Sequence, residues 1–268
     1  MTNKINFAGA NVLVTGGSEG IGLGLARRFL AAGATVLVTG RNASKLEKAA
    51  KENPGLKTFV NDIGLPKERE RLAAYLSETM PNLNVAINNA GIQRRIALAE
   101  DNAPWQERQA EIDVLLSGPV HLNHLLIPRL LKHGEPSLIA NVTSGGAYVP
   151  QPFAPIYSAC KAALHSYTMN LRFALAGTNC KIVEIIPPAI KTALAGPGAA
   201  HGAPLDEFCD ATFAALTEGN SLEIGFGPTS SPPVQERLAI DRKLFEGFSG
   251  RFPVKTYFSK LSGQGRSQ

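Results

Sequence analysis

The sequence predicts a doubly wound α/β fold, a mainly parallel sheet of seven strands with helices on both faces. Three observations carry that prediction. Short apolar, β-branched runs alternate with helix-length amphipathic segments; the runs are apolar almost throughout; and the first of them turns into a helix through a cluster of glycines. Strands that do not alternate with polar residues are those covered on both faces, as in a parallel sheet between two helical layers.

The elements follow in chain order. Asn11 to Thr15 forms the first strand and leads through Gly16-Gly17-Ser18-Glu19-Gly20-Ile21-Gly22 into a helix from Gly22 to Ala32, with Gly33 as its C′ residue. Strands are predicted next at Thr35 to Thr39, Lys57 to Val60 and Val85 to Asn88, with helices at Ala43 to Glu52 and Pro66 to Thr79 between them. A long helical pattern runs from Pro104 to Lys132, where Gly118 and Pro119 predict a bend or a close backbone approach. A strand at Ser137 to Val142, a helix at Pro155 to Ala176 and a strand at Lys181 to Ile186 follow. The stretch 188–204 is rich in Pro, Gly and Ala and reads as a mobile loop beyond a strand end, where ligand-binding segments of such folds lie. A helix at Leu205 to Thr217 and a short strand at Leu222 to Gly225 complete one domain over residues 1–228. Residues 229–268 read as an extension packed on the body or on a partner subunit.

Composition narrows the function classes. A chain of 268 residues, 44% hydrophobic, can bury one full core. Its formal charge of +5 is spread without a dense basic run, which argues against a nucleic-acid partner and suits a phosphorylated cofactor or an anionic substrate. Cys160, Cys180 and Cys209 are odd in number and lack CxxC spacing, so a reducing cytoplasm is the default compartment. Neither a leader pattern nor a long uncharged apolar stretch marks a membrane protein. The histidines, His121, His124, His133, His165 and His201, form no HExxH, and no GxSxG turn or phosphate-loop lysine occurs, so neither a metal site nor a triad hydrolase is expected.

A glycine-rich strand-to-helix turn lets backbone approach a pyrophosphate whose charge faces a helix N-terminus, which makes the predicted fold Rossmann-type and assigns Gly16, Ser18, Glu19, Gly20, Ile21 and Gly22 to a dinucleotide. At the end of the second strand an acid would hold a free ribose 2′-OH. Thr39-Gly40-Arg41-Asn42 has none, and Arg41 favours NADP(H), with NAD(H) the alternative; a surface arginine is the plainer account, and Glu19 argues the other way. Asp62, with Ile63 beside it, follows the third strand and either accepts from an adenine amino group or caps a turn. Asn88-Asn89-Ala90-Gly91 follows the fourth, where Asn89, Ala90 and Gly91 either let the cofactor lie against the backbone or serve a purely local turn.

Tyr157 and Lys161 are four apart in a helical pattern and share one face. A phenol is a poor base at neutral pH, and a neighbouring ammonium stabilises its phenolate. Ser144 ends the fifth strand at the same sheet edge as the glycine turn, so its hydroxyl can meet a carbonyl or alcohol oxygen. Gln93, Arg94, Tyr148 and Phe153 are candidates for the substrate pocket, where an arginine suits an acidic substrate or simply faces solvent.

Together TGGSEGIG at Thr15 to Gly22, NNAG at Asn88 to Gly91, Ser144 and the YSACK of Tyr157 to Lys161 resemble the short-chain dehydrogenase/reductase family over about residues 7–192, its bacterial DltE-like members in particular. The resemblance implies an NADP(H)- or NAD(H)-dependent oxidoreductase interconverting a small carbonyl compound and an alcohol, assembled as a homodimer or homotetramer. Tyr157 would be its general acid/base, Lys161 would hold the nicotinamide ribose and lower the tyrosine pKa, and Ser144 would position the substrate oxygen. Pro187-Pro188-Ala189-Ile190-Lys191-Thr192 is similar to the family's PGxxxT segment, placing Pro187, Ile190 and Thr192 at the cofactor. One departure stands out: where the family carries an asparagine that supports a water-linked proton relay, this chain has Leu115. A catalytically weak nucleotide sensor or scaffold of the same fold is the competing expectation.

Overall fold

The computed structural model describes residues 6–132, 134–251 and 253–264; His133, Phe252 and the first five and last four residues lie outside it. Seven parallel strands form one sheet in the order β3-β2-β1-β4-β5-β6-β7. They are β1 (Asn11–Thr15), β2 (Thr35–Gly40), β3 (Lys57–Val60), β4 (Val85–Asn88), β5 (Ser137–Val142), β6 (Cys180–Ile186) and β7 (Glu223–Gly225). The order reverses between β1 and β4, so the carboxyl ends of these two strands open a crevice between outgoing and returning helices, the place where such sheets take ligands.

The inner strands are buried on both faces, as β-branched residues between two helical layers must be. Against one face, α1 (Gly20–Ala31), α2 (Ala43–Glu52) and α7 (Leu205–Glu218) share a core with Val12, Val14, Val36 and Ile185. Phe7, Phe29 and Phe213 close its end with ring centroids 5.0–5.6 Å apart. Leu13, Ala86, Ile139 and Ile182 point the other way into a second core with α3 (Pro66–Thr79), α5 (Gly118–Lys132) and α6 (Pro155–Ala174). Adjacent residues of one strand thus serve opposite cores. No described helix is long and apolar enough to cross a membrane.

Helix α1 starts at Gly20, two residues earlier than the sequence pattern suggests, because the glycine turn itself supplies the first helical residues. The long helix predicted from Pro104 is two helices, α4 (Trp105–Ile112) and α5, joined by a π-helical turn over Asp113–Ser117. Its cause is the close approach foreseen at Gly118, where a Cβ would meet the Ile63 carbonyl oxygen at 3.2 Å and that of Asp113 at 3.1 Å.

The C-terminal segment forms α8 (Pro232–Ser249) and α9 (Tyr257–Gln264). Leu238, 1% exposed, packs α8 against Ala147, Tyr148 and Ile186, and Arg237 Nη1 donates to the Tyr148 carbonyl at 2.6 Å. Leu238→Ala leaves a cavity directly behind the turn that carries Ser144, and is expected to destabilise the fold by about 2–4 kcal/mol, measured as a lower urea midpoint at unchanged slope.

Candidate active site

A cleft of about 770 Å³ lies at the carboxyl ends of β1, β2 and β4. The glycine turn forms its floor. Gly16 has φ +65°, and a Cβ there would stand 2.7 Å from the Ala90 Cα; at Gly22 it would stand 2.4 Å from the Gly16 carbonyl oxygen. Both positions therefore require glycine, and backbone borders the open space. Asn89 locks the turn to β4, its Nδ2 donating to the carbonyls of Thr15 and Gly16 at 3.0 Å each, while the Thr15 hydroxyl accepts from the backbone N–H groups of Asn89 and Ala90. The local and the ligand-facing accounts of Asn89 hold together, because the same residue also lines the cleft.

Gly16, Ser18, Glu19, Gly20, Ile21, Arg41, Asp62, Ile63, Asn89, Ala90, Gly91 and Thr192 all line this space. The N-cap of α1 is Glu19, whose carboxylate is drawn to Lys45, and no acidic side chain stands in the first turn, so the helix N-terminus is left to favour an anion. These features fit a dinucleotide: glycine floor, open helix N-terminus, and an extended groove to hold two nucleotides. Gly22 supports the floor from beneath. Pro187 and Ile190 are buried and stand back from the cleft: the Pro187 carbonyl accepts from Gly145 N–H at 3.0 Å, and Ile190 packs into the core and bridges to Ala203. Their side chains support the Thr192 segment, and the cofactor contact that the resemblance implies for Ile190 is one of its backbone.

At the far end of the groove Arg41 is mostly exposed, its Nη1 3.9 Å from an Asp62 carboxylate oxygen. Asp62 also accepts from Gly64 N–H at 2.9 Å, so it both forms a turn and faces the cleft. Lys45, which sequence reasoning missed, lines the same end and is paired with Glu19 at 2.7 Å. It sits three residues past Asn42, the N-cap of α2, whose side chain accepts from Lys45 N–H at 3.0 Å. The signal was a lysine in the first turn of a helix that begins at the cleft. Two cations thus face two carboxylates, and the charge excess that Arg41 suggested is balanced.

Ser144, Tyr157 and Lys161 come together, 8%, 7% and 3% exposed; none lines the cleft itself, and Lys161 walls a recess that shares Ile63, Ala90 and Val114 with it. Ser144 follows β5 and caps the short turn Gly145–Ala147, its Oγ accepting from Gly146 N–H at 3.0 Å. Tyr157 lies near enough to Ser144 for that hydroxyl to favour its phenolate, and Lys161 Nζ lies 5.6 Å from the Tyr157 ring centroid and donates to the Val142 carbonyl at 2.7 Å. Burial pushes the Lys161 ammonium down to about 8. Burial also raises the Tyr157 phenol, helped by the charge of Glu111, while Ser144 opposes the rise. In the chain by itself burial thus dominates the environment of the Tyr157 phenol.

Leu115 is 1% exposed and walls a recess together with Lys161, Thr15 and Asn88. That recess adjoins the cleft through Ile63, Ala90 and Val114 and has no room for a water molecule. Asp113 accepts from Gln109, and the Ser117 carbonyl accepts from Arg69. Beneath lies a buried amide network. Asn88 Nδ2 donates to Asn123 and Asn141 at 2.8 Å each, and Asn141 Nδ2 to Thr168 at 2.9 Å. Asn123 and Thr168 carry no pattern that marks them before the strands are aligned.

The pocket candidates divide. Phe153 is 45% exposed beneath the Arg95 guanidinium, and Gln93 is half-buried in the loop after β4. Tyr148 is not a pocket wall: its hydroxyl is turned inward, donating to Glu184 at 2.7 Å and contacting His165 at 2.9 Å, with Thr143 Oγ1 also donating to Glu184 at 2.6 Å. A buried carboxylate must be hydrogen-bonded, and Tyr148 is one of the groups that satisfies it. Arg94 is paired through Nη2, 3.3 Å from both Asp101 and Glu107, while its buried Nη1 has no hydrogen-bond partner among the described residues. It is not a lone anion receptor.

Comparison with known proteins settles the family. The short chain dehydrogenase model matches residues 10–201. The chain is a short-chain dehydrogenase. It is 40% identical over 183 residues to the uncharacterized oxidoreductase DltE of Bacillus subtilis, spanning 68% of this chain and 72% of that one. Sulfoacetaldehyde reductase 2 of Chromohalobacter salexigens is 31% identical over 186 residues, 68% and 73% of the two chains. A short chain dehydrogenase of Burkholderia cenocepacia, solved in complex with NADP, superposes with a TM-score of 0.76 at 27% identity, covering 91% of this dehydrogenase and 98% of that chain.

Proposed function

We propose that this short-chain dehydrogenase interconverts a carbonyl compound and an alcohol with NADP(H), Tyr157 acting as general acid/base. The observation that carries the reading is the buried Ser144–Tyr157–Lys161 cluster at the edge of a glycine-floored cleft. The nicotinamide, when bound, supplies or accepts the hydride. Tyr157 gives its proton to the carbonyl oxygen in reduction and takes it from the alcohol in oxidation. Ser144 donates to the same oxygen as charge develops on it. Lys161 keeps a cation beside the phenolate. The named relative from Chromohalobacter acts on a small polar aldehyde, which agrees with a compact carbonyl substrate. A homodimer or homotetramer in the cytoplasm belongs to the same proposal.

Preference for NADP(H) rests on Arg41 and Lys45, each of which must leave a carboxylate to meet a 2′-phosphate. Lys45→Ala is expected to weaken NADPH binding about tenfold and NADH binding less than twofold, read by fluorescence titration. Tighter binding of NADH than NADPH by the unaltered protein would overturn the preference. The test of the whole reading is a panel of aldehydes, ketones and alcohols with the better-bound cofactor. Leu115 beside Lys161 favours a second reading, a nucleotide sensor of low turnover, which predicts binding without hydride transfer across the panel.

A further inference from the structure

Arg94 and Arg95 are neighbours in the loop after β4, and their surroundings differ in charge. Arg94 sits in a cluster with Asp101, Glu107 and Arg108, and its backbone N–H donates to buried Glu111 at 3.0 Å. Three carboxylates answer two guanidinium groups there. Arg95 has no carboxylate partner among the described residues; its Nη2 donates to the Ala195 carbonyl at 2.6 Å, and its guanidinium lies over the Phe153 ring, 4.6 Å from the centroid.

That position joins three segments at the mouth of the site. The loop after β4 contributes Arg95 itself and Ile96, whose N–H donates to the Phe153 carbonyl at 3.0 Å. Phe153 lies in the turn leading into α6, four residues before Tyr157. Ala195 belongs to the segment that follows Thr192, and a Cβ on Gly198 would stand 3.1 Å from Arg95 Nη2. A guanidinium carries five N–H donors in a fixed fork. One neutral carbonyl leaves most of that fork, and all of its charge, unanswered.

We propose that Arg95 is the seat for an oxyanion on the substrate, so that the enzyme acts on short carbonyl compounds bearing a carboxylate or sulfonate away from the reacting carbon. This inference rests on the oxidoreductase reading above. The Ala195 carbonyl holds the place that the oxyanion takes, and stacking on Phe153 keeps the guanidinium plane oriented for bidentate pairing. The reacting end needs nothing new: hydride comes from the reduced cofactor and the proton from Tyr157. Arg94, its charge already met by two carboxylates, holds the loop to α4.

Steady-state reduction of succinic semialdehyde, its sulfonate analogue and butanal separates this from a purely mechanical clasp. The unaltered enzyme is expected to prefer the two charged aldehydes by about tenfold or more in kcat/KM. Arg95→Gln should remove about tenfold of that preference through KM, with butanal changed less than twofold, and Arg95→Lys should keep part of it. Equal losses on charged and neutral aldehydes would make Arg95 a clasp and overturn the proposal. Turnover of butanal alone would also overturn it while leaving the oxidoreductase reading intact. No turnover of any carbonyl on the wider panel, with cofactor bound, would sink the parent reading and this one with it.

Discussion

Tyr157→Phe is expected to lower kcat by about 10³-fold while NADPH affinity stays within about twofold. The substitution deletes one oxygen from a ring that is 7% exposed, so packing against Leu115, Ala154 and Cys160 is kept. What is lost is the proton that meets the substrate oxygen and the partner of the Ser144 hydroxyl. Paired measurements of turnover and cofactor titration read the two effects separately. Unchanged turnover would remove Tyr157 from the mechanism.

Lys161→Met should cost about 10²-fold in kcat and, in addition, erase a feature of the pH profile. With its pKa brought down to about 8 by burial, Lys161 is charged on the acid side of that value and neutral above it. The Tyr157 phenol, raised by the same burial, keeps its proton through this range and contributes no limb there. Reductive kcat/KM should therefore be level on the acid side and fall with unit slope as pH rises through about 8. Methionine fills similar space without a charge, so the variant should show a low, flat profile over the same range. A limb that survives in Lys161→Met belongs to another group.

Much of this was legible in the sequence because the relevant forces are local or periodic. Apolar runs gave every strand of the sheet to within a residue or so, since a strand between two helical layers has no polar side to disguise it. Glycines at Gly16 and Gly22 declared the cleft floor because no Cβ fits there. Tyr157 and Lys161 declared their shared face by helical spacing. What stayed hidden depends on partners far away in the chain. Tyr148 reads as a pocket aromatic until Glu184 and His165 are seen to take its hydroxyl. Arg94 and Arg95 are indistinguishable as letters; only Asp101 and Glu107, folded back onto one of them, tell the two charges apart. Lys45 escaped notice because its meaning comes from Glu19, 26 residues earlier. The π-helical turn was visible only as an interruption, because its cause, the Ile63 carbonyl against Gly118, is a contact between distant segments.

The dry recess beside Lys161 has a consequence for the rhythm of catalysis. With Leu115 walling a recess that holds no water beside Lys161, the proposed mechanism expects the proton given up by Tyr157 in one reduction to return from the substrate side, after the alcohol has left. Each turnover then begins with the phenol recharged through the open mouth. In the proposed mechanism product departure and proton recovery become a single event, and an enzyme mixed with an excess of carbonyl compound and NADPH should complete its first cycle faster than any that follow.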